Sequence, residues 1–544
     1  MRRPPVRPTV VLVVAILLGV SVLGIGLLRA ATYDPPGAGK QASPGAARVG
    51  PAAGTPGRCA GVPVSATREL RGMWLTTVMN IDWPSRPGLS KEKVQAEYRA
   101  WLDLAVSMRH NAIFVHVRPS GDAFWESAYA PWSEWLTGKR DGRSPGWDPM
   151  AFMITEAHAR NLEFHAWFNP YRGTQPAPSG PGADFRKLAP NHPLLKHRDW
   201  AISYPDGKNA RLYFDPGIPA ARKFVEDAML EAVEKYDVDG VHFDDFFYPY
   251  PEGGGNEFAD DASFARRADK SQSRGDWRRA NVDTLVREMN QRIKQLKPWV
   301  KFGISPFGIW RNQETDRAGS DTHGLQSYDA IYADTRKWVR EGWLDYIVPQ
   351  LYWAIGFDKA DYTKALPWWS ALVKGTRVQL YIGQGDYRVG EKGPWRQPDQ
   401  IDRQLTLNDK YGVLGSVHFS AKQIREDRLG SVTRYRKNHY AAPALLPTMA
   451  QLPAQPPGAP RLVGARRTAA GPVELDWQPG TGAEPASWAL YRVDGAAAKL
   501  VATGRGGTKV QDPAPPPAAA QYCLSGLDRS GNESPISEPR GVNQ

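Results

Sequence analysis

From Glu69 to about Tyr440 the chain alternates short β-like runs with amphipathic helical stretches, a rhythm that restricts it to parallel strands joined by helices. Eight runs qualify as strands: Leu70–Val78, Ala112–Val117, Leu162–Phe168, Val238–Asp244, Lys301–Ser305, Tyr346–Tyr352, Val378–Gly383 and Leu414–Phe419. Helical patterns fall between them, among them Lys91–Arg109, Ala220–Tyr236 and Asn281–Leu296. Eight strands over such a span predict an α/β fold, a (β/α)8 TIM barrel with long loops. An open doubly wound sheet is the alternative, but no glycine-rich phosphate loop follows the first strand, and no cofactor is implied.

The flanks read differently. Arg2, Arg3 and Arg7 precede a charge-free apolar run from Thr9 to Leu28, long enough to span a bilayer. Residues 1–31 therefore read as a signal peptide or signal-anchor, placing the rest outside the cytoplasm, whether membrane-anchored, periplasmic or secreted. Residues 32–65 are rich in Pro, Gly and Ala, the composition of a disordered tether. The barrel is expected over 66–442 and a Pro-rich linker over 443–456. Residues 457–544 contain short strands, with Trp477, Trp488-Ala489-Leu490-Tyr491 and Tyr522-Cys523-Leu524-Ser525-Gly526-Leu527-Asp528 followed by Gly531-Asn532-Glu533-Ser534. They resemble a fibronectin type III module, a small all-β sandwich. The two cysteines, Cys59 and Cys523, have no metal-ligand spacing; export permits a disulfide, and two free thiols are the alternative. A net charge of +12 fits an anionic partner, yet the arginines are scattered and no nucleic-acid motif occurs.

Barrel strands buried on both faces should be almost continuously apolar, so polar residues at every second position point to a site. The fourth run sets His242 and Asp244 against Val241 and Phe243; the second sets His116 and Arg118 against Ile113, Val115 and Val117. The third sets His165, Trp167 and Asn169 against Phe164, Ala166 and Phe168; the sixth sets Val348, Gln350 and Tyr352 against Ile347, Pro349 and Leu351. In the eighth, Ser416, His418 and Ser420 oppose Val417 and Phe419. The polar sets crowd toward strand C-termini, the catalytic end of such barrels. A single member would more often be a hydrogen-bonded core residue, but five strands agree.

His242-Phe243-Asp244 is too short a signal for a metal site, and no Gly-x-Ser-x-Gly elbow follows a strand. Paired carboxylates remain, the groups that break glycosidic bonds. Asp244 is the first candidate and Asp245 the second, with their pKa values pushed apart by neighbours; the bland alternative is that Asp245 caps the next segment or holds an arginine. Asp386 and Glu126 are open alternatives for the second carboxylate. Trp74, Tyr171, Tyr248, Tyr352 and Trp353 lie at or beyond strand ends, where their faces can stack on pyranose rings.

Five ordered motifs then carry a resemblance: Leu70-Arg71-Gly72-Met73-Trp74-Leu75, Asn80-Ile81-Asp82-Trp83-Pro84, His165-Ala166-Trp167-Phe168-Asn169-Pro170-Tyr171-Arg172, Asp239-Gly240-Val241-His242-Phe243-Asp244-Asp245-Phe246-Phe247-Tyr248-Pro249 and Asp345-Tyr346-Ile347-Val348-Pro349-Gln350-Leu351-Tyr352-Trp353. Together they resemble glycoside hydrolase-like family 10, over about residues 66–440. The resemblance implies a barrel hydrolase acting outside the cytoplasm on peptidoglycan strands stripped of their stem peptides. It implies Asp244 and Asp245 as the acidic centre, with Arg71, His116, Arg118, Asn169, Tyr171, Arg172, His242, Gln350, Tyr352 and Trp353 lining the cleft. The expected partner is a polysaccharide, with the membrane engaged through the N-terminal segment if it is uncleaved, and no nucleic acid. The lactyl carboxylate of muramic acid gives Arg71, Arg118 or Arg172 a role as a two-pronged hydrogen-bond donor. A non-catalytic glycan-binding wall protein and a hydrolase of neutral α-glucan are the competing readings.

Overall fold

The computed structural model describes residues 57–176, 183–206, 209–252, 256–516 and 519–542. The expected leader and most of the expected tether lie outside these residues. Among the described residues no helix is long and apolar enough to cross a membrane.

The eight expected runs form a closed parallel barrel: β1 (Leu70–Leu75), β2 (Ala112–Arg118), β3 (Glu163–Phe168), β4 (Gly240–Phe243), β5 (Lys301–Ile304), β6 (Tyr346–Ile347), β7 (Gln379–Leu380 and Ile382–Gln384) and β8 (Gly415–His418). The seventh strand is interrupted at Tyr381; its first piece pairs with β6 and its second with β8, which pairs in turn with β1. The outward faces are apolar. Ile113, Val115, Phe164, Ala166, Val241, Phe243, Phe302 and Ile304 are fully buried against the helices.

The helices follow from local signals. Lys91–Ser107 begins at Ser90, whose side chain accepts from the Lys93 amide, and buries Val94, Tyr98, Trp101, Leu102 and Ala105, a stripe of helical spacing. Pro219–Lys235 starts on a proline, and Arg274–Leu296 on Ser273, whose hydroxyl accepts from the Asp276 amide.

Inside the barrel, large rings face glycines. A β-carbon on Gly240 would lie 2.3 Å from the His165 ring, and one on Gly303 would lie 2.1 Å from that of Tyr346. Those two glycines therefore leave the axis open for a hydrogen-bonded column. Lys301 donates to Glu163, whose other oxygen lies 3.1 Å from His165 Nε2. The Tyr346 hydroxyl sits 2.9 Å from His165 Nδ1 and 3.3 Å from His242 Nδ1. His242 Nε2 accepts from Trp74 Nε1 at 3.3 Å and lies 3.0 Å from Ser305 Oγ. Burial works against the charge on Glu163, but Lys301 and His165 outweigh it and hold the carboxyl below its usual range.

The C-terminal part is a small all-β sandwich. β9 (Arg461–Arg467), β10 (Val473–Gln478) and β13 (Lys509–Asp512) form one sheet; β11 (Ser487–Asp494), β12 (Ala497–Gly504), β14 (Ala520–Leu527) and β15 (Arg540–Val542) form the other. Leu475, Trp477, Leu490, Tyr522 and Leu524 pack between them.

Two flanking segments depart from the tethers expected there. Residues Arg58–Cys59 and Val62–Ser65 are strands, the second running parallel to β12. An edge strand offers unpaired amides and carbonyls, and these residues take them up. Cys59 is disulfide-bonded to Cys523 of β14 with a Cα–Cα distance of 5.8 Å. The Pro-rich stretch is packed too, since Leu445 pairs with Arg68 and Met449 and Leu452 are buried beneath the barrel with Leu70, Tyr346 and Tyr381.

The sandwich docks on the N-terminal ends of the barrel strands. Arg529 pairs with Asp237 at 2.7 Å, Arg505 approaches Asp239 at 3.5 Å, and Asn161 donates to Thr503 Oγ1 at 3.1 Å. Replacing Cys59 and Cys523 by Ala is expected to cost roughly 2–4 kcal/mol, by releasing a constraint on the unfolded chain. Thermal unfolding under non-reducing conditions, with limited proteolysis at residues 57–65, measures that loss; an unchanged melting temperature would contradict it.

Candidate active site

β4 ends where Asp244 and Asp245 leave the barrel mouth. Asp244 is 4% exposed and held by N–H donors alone. Trp167 Nε1 donates to Oδ2 at 3.1 Å, Asn169 Nδ2 reaches Oδ1 at 3.1 Å and Oδ2 at 3.2 Å, and the Phe246 amide donates to Oδ1 at 3.1 Å. Burial drives its carboxyl up, Arg172 pulls it back and the Asp245 charge adds to the rise, leaving it at about 6. Asp245 is raised as well, by burial, against the opposing bonds from Tyr250 and Gln350. The Tyr250 hydroxyl donates to Asp245, while Gln350 Nε2 donates to the Ser305 carbonyl at 2.8 Å.

Around the pair stand side chains that are neutral, cationic or aromatic. His116 stacks on Trp167 with ring centroids 3.9 Å apart, and neither of its nitrogens has a protein partner. Burial and nearby Arg172 hold it neutral, and burial with His165 does the same for His242. Arg172 lies 4.4 Å over the Phe246 ring and donates to the Pro119 carbonyl. Tyr352 stacks on Phe419 and meets Tyr387 edge-on, while Trp353 packs edge-on against Phe307. Phe246, Tyr250, Tyr352, Trp353, Tyr387 and Phe419 are all half-buried. A hollow among the loops after β2 and β3 is lined by Asp122, Trp132, Trp135, Gln175 and His192.

The structure brings together Asp244, Asp245, His116, Asn169, Arg172, Gln350 and Tyr352, with Trp353 beside them. Trp74 and His242 lie one layer deeper, in the axial column. Four expected cleft residues are elsewhere. Arg71 has outward parity at the opposite end of the barrel, bonded to Glu69 and to the carbonyls of His439 and Ala442. Tyr171 is fully buried in the outer core, and Tyr248 packs against Phe258, Tyr332 and Arg278. Arg118 follows a β-bulge at Val117 that pairs it with Phe168. The bulge turns Arg118 over Phe214, where its Nη1 donates to the Asn169 carbonyl at 3.1 Å and supports the turn bearing that residue.

The eighth strand is reversed relative to expectation. Val417 and Phe419 face inward beside Trp74, and the polar set faces the helices, where Asn408 donates to Ser416 and Tyr440 meets His418. Asp386 lies 2.9 Å from His418 Nδ1, and Glu126 is exposed away from the pair, so neither carboxylate shares a bond with Asp244 or Asp245. Trp167 and Tyr250, absent from the expected site, were signalled by strand parity and by proximity after β4; Tyr387 and Phe419 carried no comparable local signal. Among the described residues no group of three or more His, Cys, Asp or Glu side chains is placed to hold a metal ion.

A match to the family described as Glycosyl hydrolase-like 10 spans residues 69–401. The chain belongs to that family. Glycosyl hydrolase YngK of Bacillus subtilis (strain 168) is 44% identical over 484 residues, covering 87% of this chain and 93% of the relative. Glycosyl hydrolase DigH of Escherichia coli (strain K12) is 36% identical over 396 residues, covering 69% of this chain and 88% of the relative. Among solved structures, the PgaB (BpsB) glycoside hydrolase domain from Bordetella bronchiseptica aligns with a TM-score of 0.44 at 11% identity, covering 68% of this chain and 98% of that one. The protein is a glycoside hydrolase.

A role for Asp244 as an anion predicts that the rate of this hydrolase climbs as pH rises through about 6. Asn169→Ala removes a donor that stabilises the ionised form, so it raises the carboxyl further and moves that limb to higher pH. A pH–rate profile of the two proteins decides the matter; coincident limbs would dissociate Asp244 from the titration.

Proposed function

We propose that this hydrolase acts outside the cytoplasm and cleaves amino-sugar glycan of the cell wall, denuded peptidoglycan above all, by carboxylate acid/base chemistry centred on Asp244 and Asp245. The observation that carries the reading is a pair of buried aspartates, one held by three neutral donors, at a barrel mouth ringed by half-exposed aromatic side chains. Removal from water raises both carboxyls toward the protonated state an acid catalyst needs, while ring faces accept the C–H surface of a pyranose. The cell-wall preference rests on the family resemblance and on Arg172, the expected arginine that stays beside the pair. The Cys59–Cys523 bond fits an oxidising compartment.

Asp244→Asn is expected to abolish release of short glycans from amidase-treated cell walls while the protein stays folded. Mass spectrometry of products formed in heavy-oxygen water reads the outcome; full activity in the variant, or turnover confined to neutral α-glucan, overturns the proposal. Arg172→Ala is expected to weaken binding to denuded peptidoglycan more than to chitin oligomers, because only muramic acid carries the lactyl carboxylate. Equal losses on the two ligands in a binding titration would discard that pairing.

A further inference from the structure

The hollow among the loops after β2 and β3 holds none of the residues grouped around the two aspartates, yet it is built on the same loops. Arg172 Nη1 donates to the Pro119 carbonyl at 3.3 Å, and the Gly121 amide donates to the Gly173 carbonyl at 3.0 Å. Arg172, beside the aspartates, therefore ties the two loops together at the near edge of the hollow, which Ser120, Asp122, Trp132 and Gln175 help to line. Gln175 is three residues beyond Arg172, so their α-carbons are at most about 11 Å apart. Close packing fixes the loops: a β-carbon on Gly121 would lie 2.9 Å from both the Gly173 carbonyl oxygen and His192 Nε2. The space, counted out to its open mouth, is about 390 Å³, near the lower limit for a small-ligand site and enough for one sugar ring.

Two polar groups there are left over by the fold. Ser120 and Gln175 are 5% and 7% exposed, and among the described residues neither Ser120 Oγ nor Gln175 Oε1 has a hydrogen-bond partner. The other end of the Gln175 amide donates only to the Met79 sulfur, at 3.4 Å. A buried polar atom costs stability unless something bonds to it, so two of them on one wall mark a place for a ligand. The charges around them are already matched. Arg140 donates to Glu134 at 2.6 Å and to the Gln175 carbonyl. His192 is fixed as the neutral ring, its Nδ1 accepting from the Leu194 amide and its Nε2 lying 3.1 Å from the Gly173 carbonyl. Asp122 accepts from the Ser120 amide at 3.0 Å, and burial lifts its carboxyl to about 6, which leaves it mostly ionised at neutral pH. Two carboxylates against one guanidinium disfavour an acidic group in this hollow. Uncharged hydroxyls and amides suit it, set against Trp132, a ring that is only half-buried.

We infer that this hollow is a sugar-binding subsite of the hydrolase, one that takes an uncharged N-acetylglucosamine unit of the strand while Arg172 meets the acidic muramic unit. The inference rests on the cell-wall glycan reading. Ser120 Oγ and the Gln175 amide bond the hydroxyl or acetamido groups of that sugar, and Trp132 carries its apolar face. None of the three touches the bond that breaks, so the hollow supplies grip on the strand and not chemistry.

The test is a binding titration with the full chain carrying Asp244→Asn, so that ligand is not consumed, against denuded peptidoglycan strands, chitin oligomers and maltooligosaccharides. Ser120→Ala and Gln175→Ala are then added one at a time. Each is expected to weaken the first two ligands alike, by roughly threefold to tenfold, since both ligands contain the uncharged unit and a hydrogen bond to it is lost. Arg172→Ala, by contrast, separates the two. Because Ser120 Oγ bonds nothing in the protein, Ser120→Ala is also expected to keep or raise the melting temperature. Unchanged affinity in either variant, a loss confined to denuded peptidoglycan, or a loss in Ser120→Ala that comes with a lower melting temperature overturns the inference and leaves the glycan reading standing. If the chain with an intact hollow binds neither amino-sugar ligand, or prefers maltooligosaccharides, the glycan reading falls and the inference with it.

Discussion

The carboxyl of Asp244 is out of water, and the arrangement of the barrel mouth follows from supplying it with donors. Trp167 and Asn169 reach it from β3 and the Phe246 amide from the loop behind it, each a neutral group that stabilises charge without neutralising it. The residual cost of burial is what lifts the carboxyl to about 6. Because that value exceeds the value in the unfolded chain, the group favours the folded state only at low pH, and this contribution is lost as pH rises through 6. A shift of that size corresponds to something on the order of 3 kcal/mol of stability forgone at neutral pH. The rest of the fold has to offset it.

The axial column does part of that. Each buried polar atom from Lys301 through Glu163, His165 and Tyr346 to His242 finds a partner, and the donors can be assigned without conflict because His242 Nε2 accepts from Trp74. A fully satisfied buried chain specifies one arrangement of the interior, whereas a half-satisfied one would be costlier than an apolar core. His242 is thus a support beneath the carboxylate, and its neutrality is a consequence of burial. Gly240 and Gly303 serve the same column by leaving room for two rings.

The two ends of the barrel are treated oppositely. At the N-terminal end Met449 and Leu452 fill the floor, and the sandwich covers it through Arg529, Arg505 and Thr503. Asp239, which begins the strand that ends in Asp244, accepts from the Phe164 amide and lies against His158 and Arg505, so that strand is anchored at its base. The C-terminal end is left to half-exposed rings. This separation lets the sandwich stabilise the barrel without obstructing the mouth.

Eight strands and their order could be read from the sequence, because a buried parallel strand must be apolar on its helix-facing side and the exceptions stand out at a period of two. That period says which residues share a face, and in β2, β3, β4 and β6 the apolar sets made the direction plain. It could not say that β8 turns its polar set outward, since that depends on Asn408 and Tyr440 arriving from helices far along the chain. Nor could it register the bulge at Val117, which moves Arg118 off the cleft, or the destinations of Arg71, Tyr171 and Tyr248. The composition of residues 57–65 and 443–456 described solvated tethers until distant strands offered them an edge and a floor. Local pattern determined what each segment is; which polar group meets which, and hence which side chains face a substrate, was decided by packing between segments hundreds of residues apart.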